Sequence, residues 1–181
     1  MFVLAASLAL APAIALGQWN ENGKPMPDTA WAKSAGGFGA QLFFTDAPDA
    51  LFAAWAVPGP LVQTTDVERI ARGKPIVGVI IFAGCAADAA GNCNAIVTYS
   101  IRGPDGKAYG ETLPTELWQG KPGPPTGQVQ LAVGNIGVVI EPEDLLGTYT
   151  VRAEITDTVS GKAMVLERAF TAHEAEPAMP K

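Results

Sequence analysis

The stretch Glu141–Thr171, EPEDLLGTYTVRAEITDTVSGKAMVLERAFT, limits what this 181-residue chain can fold into more than any other part of it. From Thr148 its residues alternate. Tyr149, Val151, Ala153 and Ile155 share one face, and Thr148, Thr150, Arg152, Glu154 and Thr156 share the other. A period of two marks a strand with one side buried and one side wet. Val159-Ser160-Gly161-Lys162 supplies turn chemistry, and Ala163–Thr171 returns as a second strand. An apolar sheet face must be covered, so this hairpin calls for a second layer.

Directly before the first strand stands Asp144-Leu145-Leu146-Gly147-Thr148-Tyr149. This D-x-x-G-x-Y run resembles the tyrosine corner of immunoglobulin-like and fibronectin III-like sandwiches, with one more residue between the acid and the glycine than the usual pattern. In that family the tyrosine hydroxyl bonds back to nearby backbone. The physical need is that a chain crossing between sheets leaves main-chain groups unpaired, and a buried phenol with a polar tip satisfies one. The resemblance implies an all-β, immunoglobulin-like antiparallel β-sandwich in which Asp144, Gly147 and Tyr149 form a structural corner. It names no particular family.

The remaining chain fits that class. Phe38–Phe44 alternates as a first strand, and Asp46-Ala47-Pro48-Asp49 reads as a helix start, with Asp46 as the cap and Ala50–Val57 as two helical turns ended by Pro58-Gly59-Pro60. Gln63–Ile70 is a candidate strand and Ala71–Pro75 a turn. Ile76–Ala83 is apolar on both faces, as a strand covered on each side would be. Ala95, Val97, Tyr99 and Ile101 face one way on the next strand, so that Ile76–Arg102 reads as a hairpin, followed by the turn Pro104-Asp105-Gly106-Lys107. Ala108–Gly127 holds too many Pro and Gly for a regular element beyond one helical turn at Thr115–Trp118, and is expected as a long loop. Val129, Leu131 and Val133 form another strand, and Ile136–Ile140 a short one.

Compartment follows from the ends and the cysteines. Residues 1–17 are uncharged, apolar and small, with Ala13-Ile14-Ala15 and Ala15-Leu16-Gly17 as cleavage patterns. They are expected to be a secretory signal peptide rather than a membrane span. Residues 18–37 are an extended lead-in in which Trp19 and Trp31 can pack on the domain, 38–171 the sandwich, and 172–181 a disordered tail. Cys85 and Cys93 are the only cysteines, and an even count in an exported chain points to one disulfide. Closing so short a loop stabilises by about 2–3 kcal/mol on the chain-entropy model. A zinc or redox pair lacks companion ligands or Cys-x-x-Cys spacing. The expected location is periplasmic or secreted, with no membrane span in the mature chain.

The chemistry of the residues points away from catalysis. The sole histidine, His173, falls in the expected tail, where no scaffold would hold it as a base. Asp46/Asp49 and Glu141/Glu143/Asp144 are the local carboxylate clusters, better explained as helix-start and corner residues. Asp88 and Asn92 offer calcium too few oxygens. A net charge of −6 with no basic cluster argues against nucleic acid. Trp118 and Trp55 remain as a candidate binding surface. The expected function is a non-enzymatic domain, without cofactor, contacting another envelope or secreted protein as an envelope-complex subunit or accessory domain. The alternative is a carbohydrate-binding module built on Trp118 and its loop.

Overall fold

A computed structural model describes residues 20–21, 24–57 and 66–175. The expected leader, Trp19, residues 63–65 of the candidate strand and residues 176–181 lie outside the described residues. The elements are β1 (Asn20–Glu21), β2 (Lys24–Pro25), β3 (Ala32–Ala35), β4 (Phe38–Thr45), α1 (Pro48–Trp55), β5 (Arg69–Ala71), β6 (Pro75–Ala83), β7 (Asn92–Arg102), β8 (Leu113–Pro122), β9 (Gln130–Leu131), β10 (Ile136–Val139), β11 (Gly147–Asp157) and β12 (Ala163–His173). The described residues form an all-β fold with one short helix. Beside the small β1–β2 pair stand two five-stranded sheets. Sheet I runs β10-β6-β4-β3, with β9 also on β6, and sheet II runs β5-β12-β11-β7-β8. Every pairing is antiparallel except β5 with β12.

The inward residues of the two sheets form one core. Phe38, Leu42, Phe44, Ile80 and Phe82 of sheet I meet Val97, Tyr99, Tyr149, Val151, Ile155 and Phe170 of sheet II, all of them buried. β6 is apolar on both faces for the reason its sequence suggests. Its Ile76, Ile80 and Phe82 join that core, while Val77 and Val79 join a second cluster with Phe43, Leu131 and Leu51 of α1. The helix therefore roofs the outer face of sheet I. Pro48 opens α1 and Asp49 sits in its first turn, but Asp46 does not cap it. The N-cap is Ala47, without a side-chain cap, and its N–H donates to Thr45 Oγ1 at 3.1 Å.

Further features differ from the sequence expectations. Ile76–Arg102 is not a hairpin: β6 pairs within sheet I and β7 pairs with β11 and β8 in sheet II, so the cysteine loop arches from one layer to the other. Each strand carries a full inward apolar set, and facing layers bury both sets against each other where a flat pair would leave them side by side. Second, Thr115–Trp118 is no helical turn. It belongs to β8, a ten-residue strand with Leu117 fully buried. Pro114 and Pro122 are tolerated because β8 is an edge strand. Third, β12 runs two residues past Thr171. Ala172 is buried and His173 pairs with Ala71, so His173 closes a strand and does not hang in a tail. Part of the lead-in is also regular, since β3 makes a hairpin with β4.

Crossing segments stitch the two sheets together along both sides. After β9, Ala132 N–H donates to Ile80 O of sheet I, and then Val133 and Gly134 donate to Leu117 O and Glu116 O of sheet II at 3.0 and 2.9 Å. On the other side Trp31 O accepts from Leu42 and Ala30 O accepts from Glu167. The first crossing depends on Gly134, where an added Cβ would lie 2.5 Å from Glu116 O and 2.6 Å from Thr115 Cγ2. Backbone on one side leaves no room to yield. A Gly134→Ala variant is expected to lose about 1–3 kcal/mol of unfolding free energy, read as a lowered urea midpoint at unchanged slope.

Candidate functional surface

The residues singled out in the sequence are placed as follows. Between β10 and β11 the chain turns through Glu141–Leu146. Tyr149 is buried and its hydroxyl donates to Leu145 O at 2.6 Å. Asp144 Oδ2 accepts from Glu141 N–H at 2.8 Å and from the Tyr109 hydroxyl at 2.5 Å, while Asp144 O accepts from Arg72 Nη2 at 2.8 Å. Gly147 takes a φ of 131°, a region that favours glycine, and an added Cβ would meet Pro104 at 3.1 Å. The corner residues are thus brought together, each bonded to the fold. Burial and the adjoining Asp144 carboxylate push the Tyr109 phenol up, so it stays a neutral donor. Neither Tyr109 nor Arg72 stood out in the sequence, because their partners are about 35 and 72 positions away.

Cys85 and Cys93 are joined in a disulfide across the arch. Asp88 bonds its own loop, accepting from Ala90 and Asn92 N–H through Oδ1 and from Asn94 Nδ2 through Oδ2. Buried Asp157 at the end of β11 accepts from Ala86 N–H at 2.9 Å, Ser160 Oγ at 2.7 Å and Val159 N–H at 3.0 Å. It ties the arch to the last turn. Among the described residues no group of three His, Cys, Asp or Glu is disposed to hold a metal.

Trp118 and Trp55 are not brought together. Trp118 packs beside the main core, its ring 5.8 Å from Phe82, with Lys121 Nζ 4.8 Å from its centroid and its Nε1 donating to Pro122 O. Trp55 packs into the cluster beneath α1. Trp31, in the lead-in, lies under the Arg168 guanidinium at 4.7 Å, and Arg168 is ion-paired with Asp66.

The feature that single-residue reasoning missed is the outer face of sheet II, where none of the described elements forms a roof like α1. Thr150, Arg152 and Glu154 of β11 lie beside Ser100 and Thr98 of β7 and beside Ala169, Glu167 and Val165 of β12. Arg152 binds both Glu154 and Glu167 at 3.1 Å, and these bonds raise its already high pKa, fixing the charge. Two hollows open here. One of about 360 Å³ is lined by Trp31, Glu68, Thr150, Glu167 and Arg168, and one of about 220 Å³ by Ser100, Arg102, Thr150, Arg152 and Glu167. They share Thr150 and Glu167. The alternation in β11 is visible in the sequence, but the cross-strand register that makes it a surface is not.

No family model matches this chain, and no curated protein sequence matches it. Among solved structures, a family 123 glycoside hydrolase from Clostridium perfringens aligns with 12% identity over 76% of this chain and 27% of its own, at a TM-score of 0.44. The alkylpurine DNA glycosylase AlkC of Pseudomonas fluorescens aligns with 14% identity over 60% and 28%, at 0.34. A PapD-like domain of human CEP192 aligns with 10% identity over 66% and 95%, at 0.29. The chain spans about a quarter of the length of the first two. Likenesses this distant carry no argument about activity. Among the described residues no helix is long and apolar enough to cross a membrane.

Acid stability tests the arch. Burial alone would raise Asp157, but the bonds donated by Ala86, Ser160 and Val159 outweigh it and hold the carboxyl below the ordinary aspartate range. A depressed folded pKa adds stability that is complete above the unfolded value and is lost as pH falls through the folded one. Unfolding free energy should therefore decline below about pH 4. Urea titrations from neutral to acid pH should show a shallower decline for Asp157→Asn, and equal slopes for both proteins would disprove the assignment.

Proposed function

We propose that this chain is an exported, immunoglobulin-like, non-enzymatic sandwich that works by contact with another envelope or secreted protein, as a complex subunit or accessory domain. The outer face of sheet II, which none of the described elements covers, carries the reading. It sits on a two-layer scaffold, and Arg152, paired with Glu154 and Glu167, together with the Thr150 and Ser100 hydroxyls offers directional bonds without excess charge. The groups with chemical potential elsewhere support it too. Asp144, Asp157, Asp88 and Tyr109 are each bonded within the fold. The disulfide suits an oxidising compartment.

The test is affinity capture from envelope extracts with the wild-type protein and a Thr150→Arg, Arg152→Glu double variant of unchanged thermal midpoint. A stoichiometric partner should be retained by the first and reduced about tenfold or more by the second, the effect of about 1.4 kcal/mol lost at a contact. Recovery of no stable partner, or equal recovery by both proteins, would overturn the reading. Glycan binding through Trp118 has less support, because Phe82 and Lys121 already engage that ring. Titration against a glycan panel is expected to leave Trp fluorescence unchanged, and a saturable change abolished by Trp118→Ala would reverse the order of the two readings.

A further inference from the structure

We propose that Pro122-Gly123-Pro124-Pro125, where the chain leaves β8, is a fixed polyproline ridge that docks into the aromatic-lined groove of a partner domain. The ridge uses none of the residues on which the sheet II reading rests.

Its conformation follows from the residue types. Proline fixes φ near about −65° and has no N–H, so three prolines in four positions cannot extend a ladder. A residue before proline is pushed out of the helical region into extended backbone. Lys121, Gly123 and Pro124 each stand in that place. Pro122 is the last residue of β8 and is extended where it pairs with Asn92. Gly123 does not take the left-handed φ of Gly120 and Gly127 on either side, which stand at 62° and 79°. Extended backbone with φ held by proline is the polyproline conformation, which turns once in about three residues. Pro122 and Pro125 therefore share one side of it. Both are exposed, while Gly123 and Pro124 between them are half-buried.

The segment is held at its start, middle and end. Pro122 O accepts from Trp118 Nε1 at 3.0 Å. Pro125 O accepts from Gln128 N–H at 2.9 Å, closing a turn whose third residue is Gly127. Between them Gly123 lies on the disulfide, where an added Cβ would stand 2.9 Å from Cys85 Sγ and 3.4 Å from Cys93 Cβ. The cysteine arch is thus the seat of the ridge. Among the described residues nothing donates to the Gly123 or Pro124 carbonyls.

An exposed apolar ridge with carbonyl acceptors and few N–H donors fits one kind of surface. Aromatic side chains of the partner take Pro122 and Pro125 between them, and Tyr hydroxyl or Trp N–H groups donate to the two carbonyls. Lys121 marks one end of the ridge. It is half-exposed, and its Nζ is 3.5 Å from Glu116, a surface pair that costs little to exchange. A carboxylate at that end of the groove would read the direction of the segment. Because the ridge is already formed, docking orders little chain.

The experiment titrates the purified, disulfide-bonded protein by calorimetry against a panel of purified SH3 and WW domains, whose grooves take polyproline. At least one domain should bind saturably at one site per chain. Pro122→Ala and Pro125→Ala, each checked for an unchanged melting profile, should weaken that binding about tenfold. The Thr150→Arg, Arg152→Glu double variant should bind as the wild type does. A panel in which no domain binds would overturn the proposal, and so would equal binding by wild type and both proline variants. Loss of binding in the double variant would place the contact on sheet II and overturn it as well.

Discussion

The sandwich depends on the contact of three rings where its layers meet. Tyr149 of β11 stacks on Phe170 of β12 at 5.5 Å with 9° between the planes, and Phe44 of β4 meets Phe170 edge-on at 5.4 Å. Two rings belong to sheet II and one to sheet I, so the cluster fixes how one layer sits on the other. Aromatic pairs of this geometry add roughly 0.5–1.5 kcal/mol each beyond burial. The Tyr149 hydroxyl adds a constraint that phenylalanine could not supply. By binding Leu145 O it fixes where the chain leaves the crossing and enters β11.

The opposite end of the molecule is held by polar contacts. Asp157 reaches from the end of β11 to Ala86 in the arch, and both the N–H and the hydroxyl of Thr158 donate to Asn94 O. The disulfide closes the same arch. Aromatic packing at one end and carboxylate-to-backbone bonds at the other leave the two sheets little freedom to slide. A surface built on sheet II is therefore preorganised, which lowers the ordering cost of binding.

The final hairpin, the doubly apolar β6, the disulfide and the short helix were legible because each rests on local periodicity or on residue chemistry. The arch was not. Whether β6 and β7 pair with each other or face each other depends on which distant strands are nearer, and the β11 residues lie 48 to 62 positions from the β7 residues they pair with. β8 was concealed by its prolines, which forbid a central strand but suit an edge. Asp46 satisfied the residue preference for a helix cap, while the backbone placed Ala47 there instead. Of the proposed contact surface, the sequence showed the polar half of β11. The pairing of Arg152 with Glu167 and the meeting of two hollows at Thr150 follow from a cross-strand register that no single segment carries.

The strand order has a consequence for synthesis. β11 and β12 come last in the chain yet occupy the middle of sheet II, with β7 and β8 on one flank and β5 on the other. Until they emerge, β5 and the β7–β8 pair have no strand between them to bond to. Completion of sheet II therefore waits on this hairpin, the segment that joins β7 to β5.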